Sequence, residues 1–164
     1  MSSTDKEPAN GAAGRAEHLE TVVVEDELEL TLVLSDWLTA PVRTCFTYRT
    51  DDPYAVHLLF RFDFQKPVRW VFARDLLTAG MSDRAGIADV TVRPSSDCFL
   101  TSLSLASPHG RVEVEAPTLS LATWLARTHL AVPAGHEDRH LDLDAAVERL
   151  LREPGPPPPA IEGG

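Results

Sequence analysis

His136-Glu137-Asp138-Arg139-His140 has the H-E-x-x-H spacing of a zinc-protease helix. That chemistry wants two imidazoles one turn apart on a helix, with the glutamate as general base. The setting argues for a plainer reading. The segment follows Pro133-Ala134-Gly135, a loop signal, and precedes the start of a last helix. A third ligand would have to come from the 24 residues that remain. A polar linker is therefore the expected reading, and no metal or other cofactor is assigned.

His57 could serve as a base only with a nucleophile and an orienting acid beside it, and no nucleophile elbow or comparable constellation is visible. It reads as a histidine on a sheet surface or interface. Asp51 and Asp52, like Asp142 and Asp144, read as turn and cap residues rather than a catalytic carboxylate pair. No glycine-rich phosphate loop occurs. Phe60, Phe62, Phe64 and Trp70 could form a stacking platform for single-stranded nucleic acid. Their strict alternation places them in a core first, and no Lys/Arg run is present to track phosphates.

These side chains need elements to hold them. From Tyr54 to Phe64, every second residue is apolar or aromatic, which makes a strand with one buried face. Lys66-Pro67 turns the chain into a second strand carrying Val68, Trp70 and Phe72. Asp75 is placed to cap a short helix and Gly80 to end it. Upstream, Val22, Val24, Leu28, Leu30, Leu32 and Leu34 share one phase of a long first strand. Asp26 interrupts that phase and marks either a bulge or the true start of the strand. Trp37–Pro41 reads as a connection to a strand over 42–49. Downstream, strands are expected over Ile87–Arg93, Cys98–Ala106 and Arg111–Ala116, the last two joined by Ser107-Pro108-His109-Gly110 as a type I turn. Leu121, Trp124, Leu125 and Thr128 then fall at i, i+3, i+4 and i+7 of an amphipathic helix, with Thr118 or Ser120 near its cap, ending before Pro133. A last helix should open at Asp142 or Asp144, with Val147, Leu150 and Leu151 as its apolar stripe. The expectation is an α+β fold: antiparallel sheets of about seven strands, a short mid-chain helix and two C-terminal helices. Several strands carry apolar residues on both faces, including Leu59 and Val71, so some sheet surface should be buried between copies.

The chain has 164 residues and a formal charge of −10. Residues 1–36 hold nine acids and two bases, so the remainder is nearly neutral. Residues 1–19 are polar and acidic and should be disordered, as should the Pro-rich 153–164, leaving one domain over 20–152. Cys45 and Cys98, each in an expected strand and without metal spacing, read as buried free thiols of a reducing compartment. The N-terminus is not a secretory signal, and no apolar run approaches the ~20 residues of a membrane helix. A cytoplasmic protein without a membrane span is expected.

Asp52-Pro-Tyr-Ala-Val-His57 and Val68-Arg-Trp-Val-Phe-Ala-Arg-Asp-Leu-Leu77 resemble the two signature segments of the SsgA-like proteins, small sporulation and cell-division proteins of filamentous actinomycetes. Asp89-Val-Thr-Val, Pro94-Ser95, Leu105-Ala-Ser-Pro108, Glu115-Ala-Pro117, Arg127-Thr128 and His140-Leu-Asp-Leu-Asp144 extend the match collinearly over roughly residues 21–152. The resemblance implies a Whirly-like fold assembled as a homotrimer and a non-enzymatic role in sporulation-specific septation or spore-wall maturation. It further implies recruitment to division septa and contacts with other SsgA-like proteins or with division machinery such as FtsZ. Nucleic acid is not an expected partner. The acidic arm, the proline tail and Arg93, where an aromatic is usual, depart from the pattern and leave the subfamily open. Asp52, Arg69, Arg74 and Asp75, taken as exposed residues of the shared segments, are the candidate protein-contact positions; their plain reading is turn, solvated face or subunit salt bridge, and helix cap.

Overall fold

The computed structural model describes residues 20–63, 65–141, 147, 148 and 151. The expectations for residues 1–19, Phe64, the cap at Asp142 or Asp144, Leu150 and the tail over 153–164 lie outside that set; Val147 and Leu151 are helical as expected, but exposed rather than a buried apolar stripe.

Period-two apolar patterning yields seven strands: β1 (Val23–Ser35), β2 (Leu38–Arg49), β3 (Ala55–Arg61), β4 (Val68–Ala73), β5 (Val90–Pro94), β6 (Leu100–Ser107) and β7 (Gly110–Pro117). They form one antiparallel sheet in the order β4-β3-β2-β1-β7-β6-β5. Register carries the inner face from strand to strand: Phe46 lies opposite Leu58, Leu58 opposite Trp70, Leu32 opposite Val114, and Val114 opposite Leu103. The sheet curls around these residues, bringing β3 and β4 to face β6 and β7 across a cleft. Helix α1 (Arg74–Gly80) follows β4, and α2 (Thr118–Ala131) follows β7.

β1 meets β7 only over Thr31–Val33, so the first half of β1 and the last two residues of β7 diverge. Helix α2 sits against that opening. Its buried stripe is Leu121, Trp124, Leu125 and Thr128, the four positions picked out by the helical period. Phe46 meets Trp124 edge-on at 5.3 Å between centroids, an arrangement that aromatic quadrupoles favour. Trp124 Nε1 donates to Val24 O at 3.3 Å, and Arg127 donates to Asp26 Oδ2 and Glu25 O at 3.0 and 3.3 Å. The helix thus supplies partners to strand groups that β7 leaves uncovered, as burial of backbone carbonyls requires.

Several boundaries differ from expectation for local reasons. Asp26 marks no bulge: β1–β2 register is continuous there, and the shift falls between Val33 and Ser35. An acid is tolerated in the inward phase because Arg127 meets it. Trp37–Pro41 is not a connection, since β2 already begins at Leu38. β5 starts at Val90 rather than Ile87, because Gly86 and Ala88 take positive φ (91° and 70°) and form a loop. Cys98 precedes β6 and is exposed, whereas Cys45 is buried in β2 as expected. Helices α1 and α2 lack side-chain caps; Asp75, Thr118 and Ser120 all lie inside them. Asp75 therefore acts on the first-turn dipole instead, an effect of about 0.3–1 kcal/mol.

Gly80 ends α1, but its constraint is space. A Cβ there would overlap the side chain of Val92, which is fully buried in β5. Overpacking of this kind costs about 1–3 kcal/mol, only partly offset by the ~1 kcal/mol helix-propensity gain of alanine. Gly80→Ala should lower the urea midpoint, and Val92→Ala in the same chain should recover part of the loss. A single variant as stable as the parent would contradict this contact.

Candidate contact surface and its internal clamp

Arg74 is the inward-phase residue that follows Val68, Trp70 and Phe72, and it stays inside although it is charged. Its relative exposure is 1%. A buried guanidinium must have its donors met. Nη1 donates to Val132 O at 2.7 Å and to Thr128 O at 3.1 Å, both at the C-terminal end of α2. Thr128 O also accepts from Val132 N at 3.0 Å, and both carbonyls lie at the negative pole of the helix dipole, so a cation is well placed there. Nη2 donates to Glu137 Oε1 at 2.5 Å. The guanidinium carbon lies 4.9 Å from the centroid of the Tyr48 ring, within cation–π range. Tyr48 in turn donates its hydroxyl to Pro53 O at 3.0 Å. Arg74 Nε has no hydrogen-bond partner among the described residues.

Glu137 is thus not a linker residue, as the sequence suggested, but half of a buried ion pair. Burial pushes its carboxyl up; hydrogen bonds from the backbone and the bond and charge of Arg74 outweigh that and hold it below the usual carboxylate range. The H-E-x-x-H segment forms only a short 3-10 turn, Glu137–His140, which does not stack His136 and His140 as a helix would, and its glutamate is committed to Arg74. Among the described residues, no group of three or more His, Cys, Asp or Glu is arranged to hold a metal.

The four candidate contact positions separate. Arg74 is internal, which overturns its expected exposure; its residue type suggests a surface cation, whereas its phase in β4 points inward. Asp75 is exposed beside it in α1. Asp52 lies half-buried in the β2–β3 turn, its Oδ2 3.0 Å from His57 Nε2. The turn is braced by Arg74 N donating to Tyr54 O at 2.8 Å. Arg69 stands apart, exposed near the other end of β4 and opposite Leu59. It makes no ion pair among the described residues. The convex face around it carries Arg43, Arg61, Leu59 and Val71, with Glu27 reaching Arg61 at 3.5 Å. Cys45 on that face donates its thiol to Glu25 at 2.9 Å; burial, then that bond, raises its pKa, which disfavours thiolate chemistry. Phe60 is a core residue, and Phe62 and Trp70 are half-buried, so among the described residues these three rings form no exposed row.

Removing one partner of a buried ion pair strands the other charge, at about 3–5 kcal/mol. Glu137→Ala should destabilise the chain by that order in urea titration, and Arg74→Met combined with Glu137→Leu should recover most of it. A double variant no better than Glu137→Ala would show that the charges do more than pair.

The same cluster sets an acid response. Burial, then the Arg74 charge, lowers the pKa of His129 from its ordinary 6.5. The unfolded chain therefore takes up that proton first, and stability falls as pH drops through about 6.5. Glu137, with its depressed pKa, adds a second loss below the ordinary 4.5. The urea midpoint should decline in two stages between pH 8 and pH 3, and His129→Gln should remove the upper one. A flat midpoint from pH 8 to 5 would refute the His129 contribution.

Comparison with known proteins gives a consistent result. Residues 42–137 match the family described as Streptomyces sporulation and cell division protein, SsgA. The chain is 43% identical over 132 residues to the sporulation-specific cell division protein SsgB of Streptomyces coelicolor, covering 79% of this chain and 96% of that one. It is equally similar, at 43% over 132 residues, to SsgB of Salinispora tropica, covering 78% and 92%. A solved structure from work on SsgB mutations and longitudinal cell division in sporulating S. coelicolor superimposes with a TM-score of 0.70 at 43% identity, over 73% of this chain and 96% of that chain. The SsgA-like sporulation-specific cell division protein of Thermobifida fusca gives 0.70 at 34% identity, over 79% and 96%.

Proposed function

Since the chain belongs to the SsgA family of sporulation and cell division proteins, we propose that it serves sporulation-specific division as a non-enzymatic adaptor, working through protein contacts at the septum. Relatives named as sporulation-specific cell division proteins support the role in sporulation division. The observation that carries the adaptor reading is the fate of the reactive groups. Glu137 is spent on Arg74, His57 faces Asp52, and Cys45 is held as a thiol, so the side chains that could do chemistry brace the fold. What remains outward includes large apolar side chains such as Leu119 and Leu130, with charged residues of both signs around them.

The proposed assembly is a homotrimer. It is supported by large apolar side chains left in water: Leu119 and Leu130 on the outer side of α2 are 80% and 83% exposed, and Phe99, whose carbonyl accepts from Thr118 N, is exposed beside that helix. Exposure on this scale is typical of surfaces that another chain covers. Other family members, or division machinery such as FtsZ, are the proposed partners, with Arg69, Asp52 and Asp75 as exposed or partly exposed contact positions. No helix among the described residues is long and apolar enough to cross a membrane.

Light scattering of the purified chain should return three chain masses, and Leu119→Glu with Leu130→Glu should lower it. Tagged protein from sporulating actinomycete cells should retain its division partners, and Arg69→Glu should release them several-fold. A parent mass of one chain refutes the trimer. Unchanged retention by Arg69→Glu removes Arg69 from the contact. Salt-sensitive binding of a labelled single-stranded oligonucleotide, with no protein retained, would favour nucleic-acid binding instead.

A further inference from the structure

Helices α1 and α2 cover only part of the inner face of the curled sheet. The other part opens as a cleft of about 680 Å³ lined by Leu32, Phe60, Phe62, Trp70, Leu105 and Val112 among others. Val68 and Val112 in its wall are 43% and 44% exposed. Arg69 on β4 and Arg111 on β7 border it at its rim, each next in sequence to an inward residue, with His109 between strands, and no Asp or Glu lines it among the described residues. The nearby acids Glu29 and Asp63 lie in a separate notch with Arg43 and Arg61.

The cleft runs along a free sheet edge. β5 and β4 are the two terminal strands. β5 is guarded: Ala85 N donates to Val92 O at 2.8 Å and Val92 N to Ala85 O at 2.9 Å, closing its outer side. β4 pairs with β3 alone, and no backbone group of the described residues hydrogen-bonds to its other side. An unguarded edge is a template for strand addition, in which backbone bonds supply affinity and alternate side chains enter pockets.

We propose that the β4 edge and this cleft form a docking site for an extended segment of a partner protein, apolar at alternate positions and carrying an acidic side chain to meet Arg69 and Arg111. The site rests on the adaptor reading and states the chemistry of what the adaptor holds. Two other occupants fit less well. A second copy pairing edge to edge would bring one Arg69-bearing strand against another, and like charges oppose pairing. The segment Pro154–Pro159 of the chain's own C-terminal tail has five prolines in six positions, and proline has no N–H to give an edge.

The test is a random peptide display library panned against the full chain, with the selected peptides synthesised and titrated by fluorescence anisotropy. Selected sequences should alternate apolar residues with a flanking Asp or Glu. Arg69→Glu and Val112→Glu should each weaken binding at least tenfold while leaving the thermal melt unchanged, and a lysine-for-acid peptide should restore binding to Arg69→Glu. Amide exchange at Val68–Ala73 should slow on peptide addition. Selection of basic or proline-rich peptides, wild-type affinity in both variants, or slowed exchange that depends on protein concentration without peptide would overturn the site. So would quenching of tryptophan emission by lauric acid in preference to every peptide. If Val112→Glu loses the peptides yet retains the cellular partners, the cleft fails and the adaptor reading stands; if the unaltered chain retains no partner, the adaptor reading fails whatever the peptides do.

Discussion

The buried guanidinium of Arg74 is the constraint on which the two ends of the domain depend. It sits where four parts of the chain meet: the start of α1, the ring of Tyr48 in β2, the last carbonyls of α2, and Glu137 beyond them. An uncompensated charge at such a site would cost several kcal/mol, so each of these parts is placed by the need to answer it. The pair need not raise stability over an apolar equivalent. Its effect is on specificity: a hydrophobic side chain would accept many arrangements of the α2 C-terminus, whereas a planar fork with directed donors accepts few.

That clamp explains why helix cover is concentrated at one end of the inner face. α2 follows β7 directly and is seated by Trp124 and Arg127 against the first half of β1, while Arg74 holds its far end beside α1. Both helices are thereby committed to the end of the barrel-like curl where β1 starts and β4 finishes. The opposite end receives neither. The apolar phase of the strands continues through it nonetheless, because register in a sheet with one buried face runs the length of each strand. An open apolar cleft follows from uniform strand patterning combined with locally anchored helices.

Much of this was legible in the residues. The seven strands, the short helix after β4 and the four buried positions of α2 follow from periods of 2 and 3.6, which local sequence displays directly. What the pattern hid were the exceptions to polarity. Arg74 continues the inward phase of β4 and Asp26 interrupts that of β1, and residue type alone suggests a surface cation for one and a bulge or strand start for the other. Their partners, Glu137 and Arg127, lie 63 and 101 positions away, a separation no local pattern reports. The signal was present in half: a charged residue in phase with the core implies an opposite charge inside, even when its identity is unknown. Cys98 and Ile87 were misplaced for a different reason, since positive φ at Gly86 and Ala88 and the turn before β6 shorten strands whose hydrophobicity alone suggests more.

The two sheet edges show how such a domain can carry function without catalysis. An edge strand left open is a hazard, and proteins blunt it unless it is used. Here the hazard is treated asymmetrically: a loop with Ala85 folds back to seal β5, while among the described residues no backbone group pairs with the outer side of β4, which lies beside an apolar wall. Sealing one edge prevents runaway end-to-end association, because a chain with a single open edge can pair once but cannot propagate a continuous sheet. The clamp fixes the end of β4 where α1 begins, so the edge is presented rigidly, and binding there would cost little of the ordering entropy that a loose strand would lose. Rigid support at one end and an unsealed edge along the same strand are what a docking element needs, and β4 combines both.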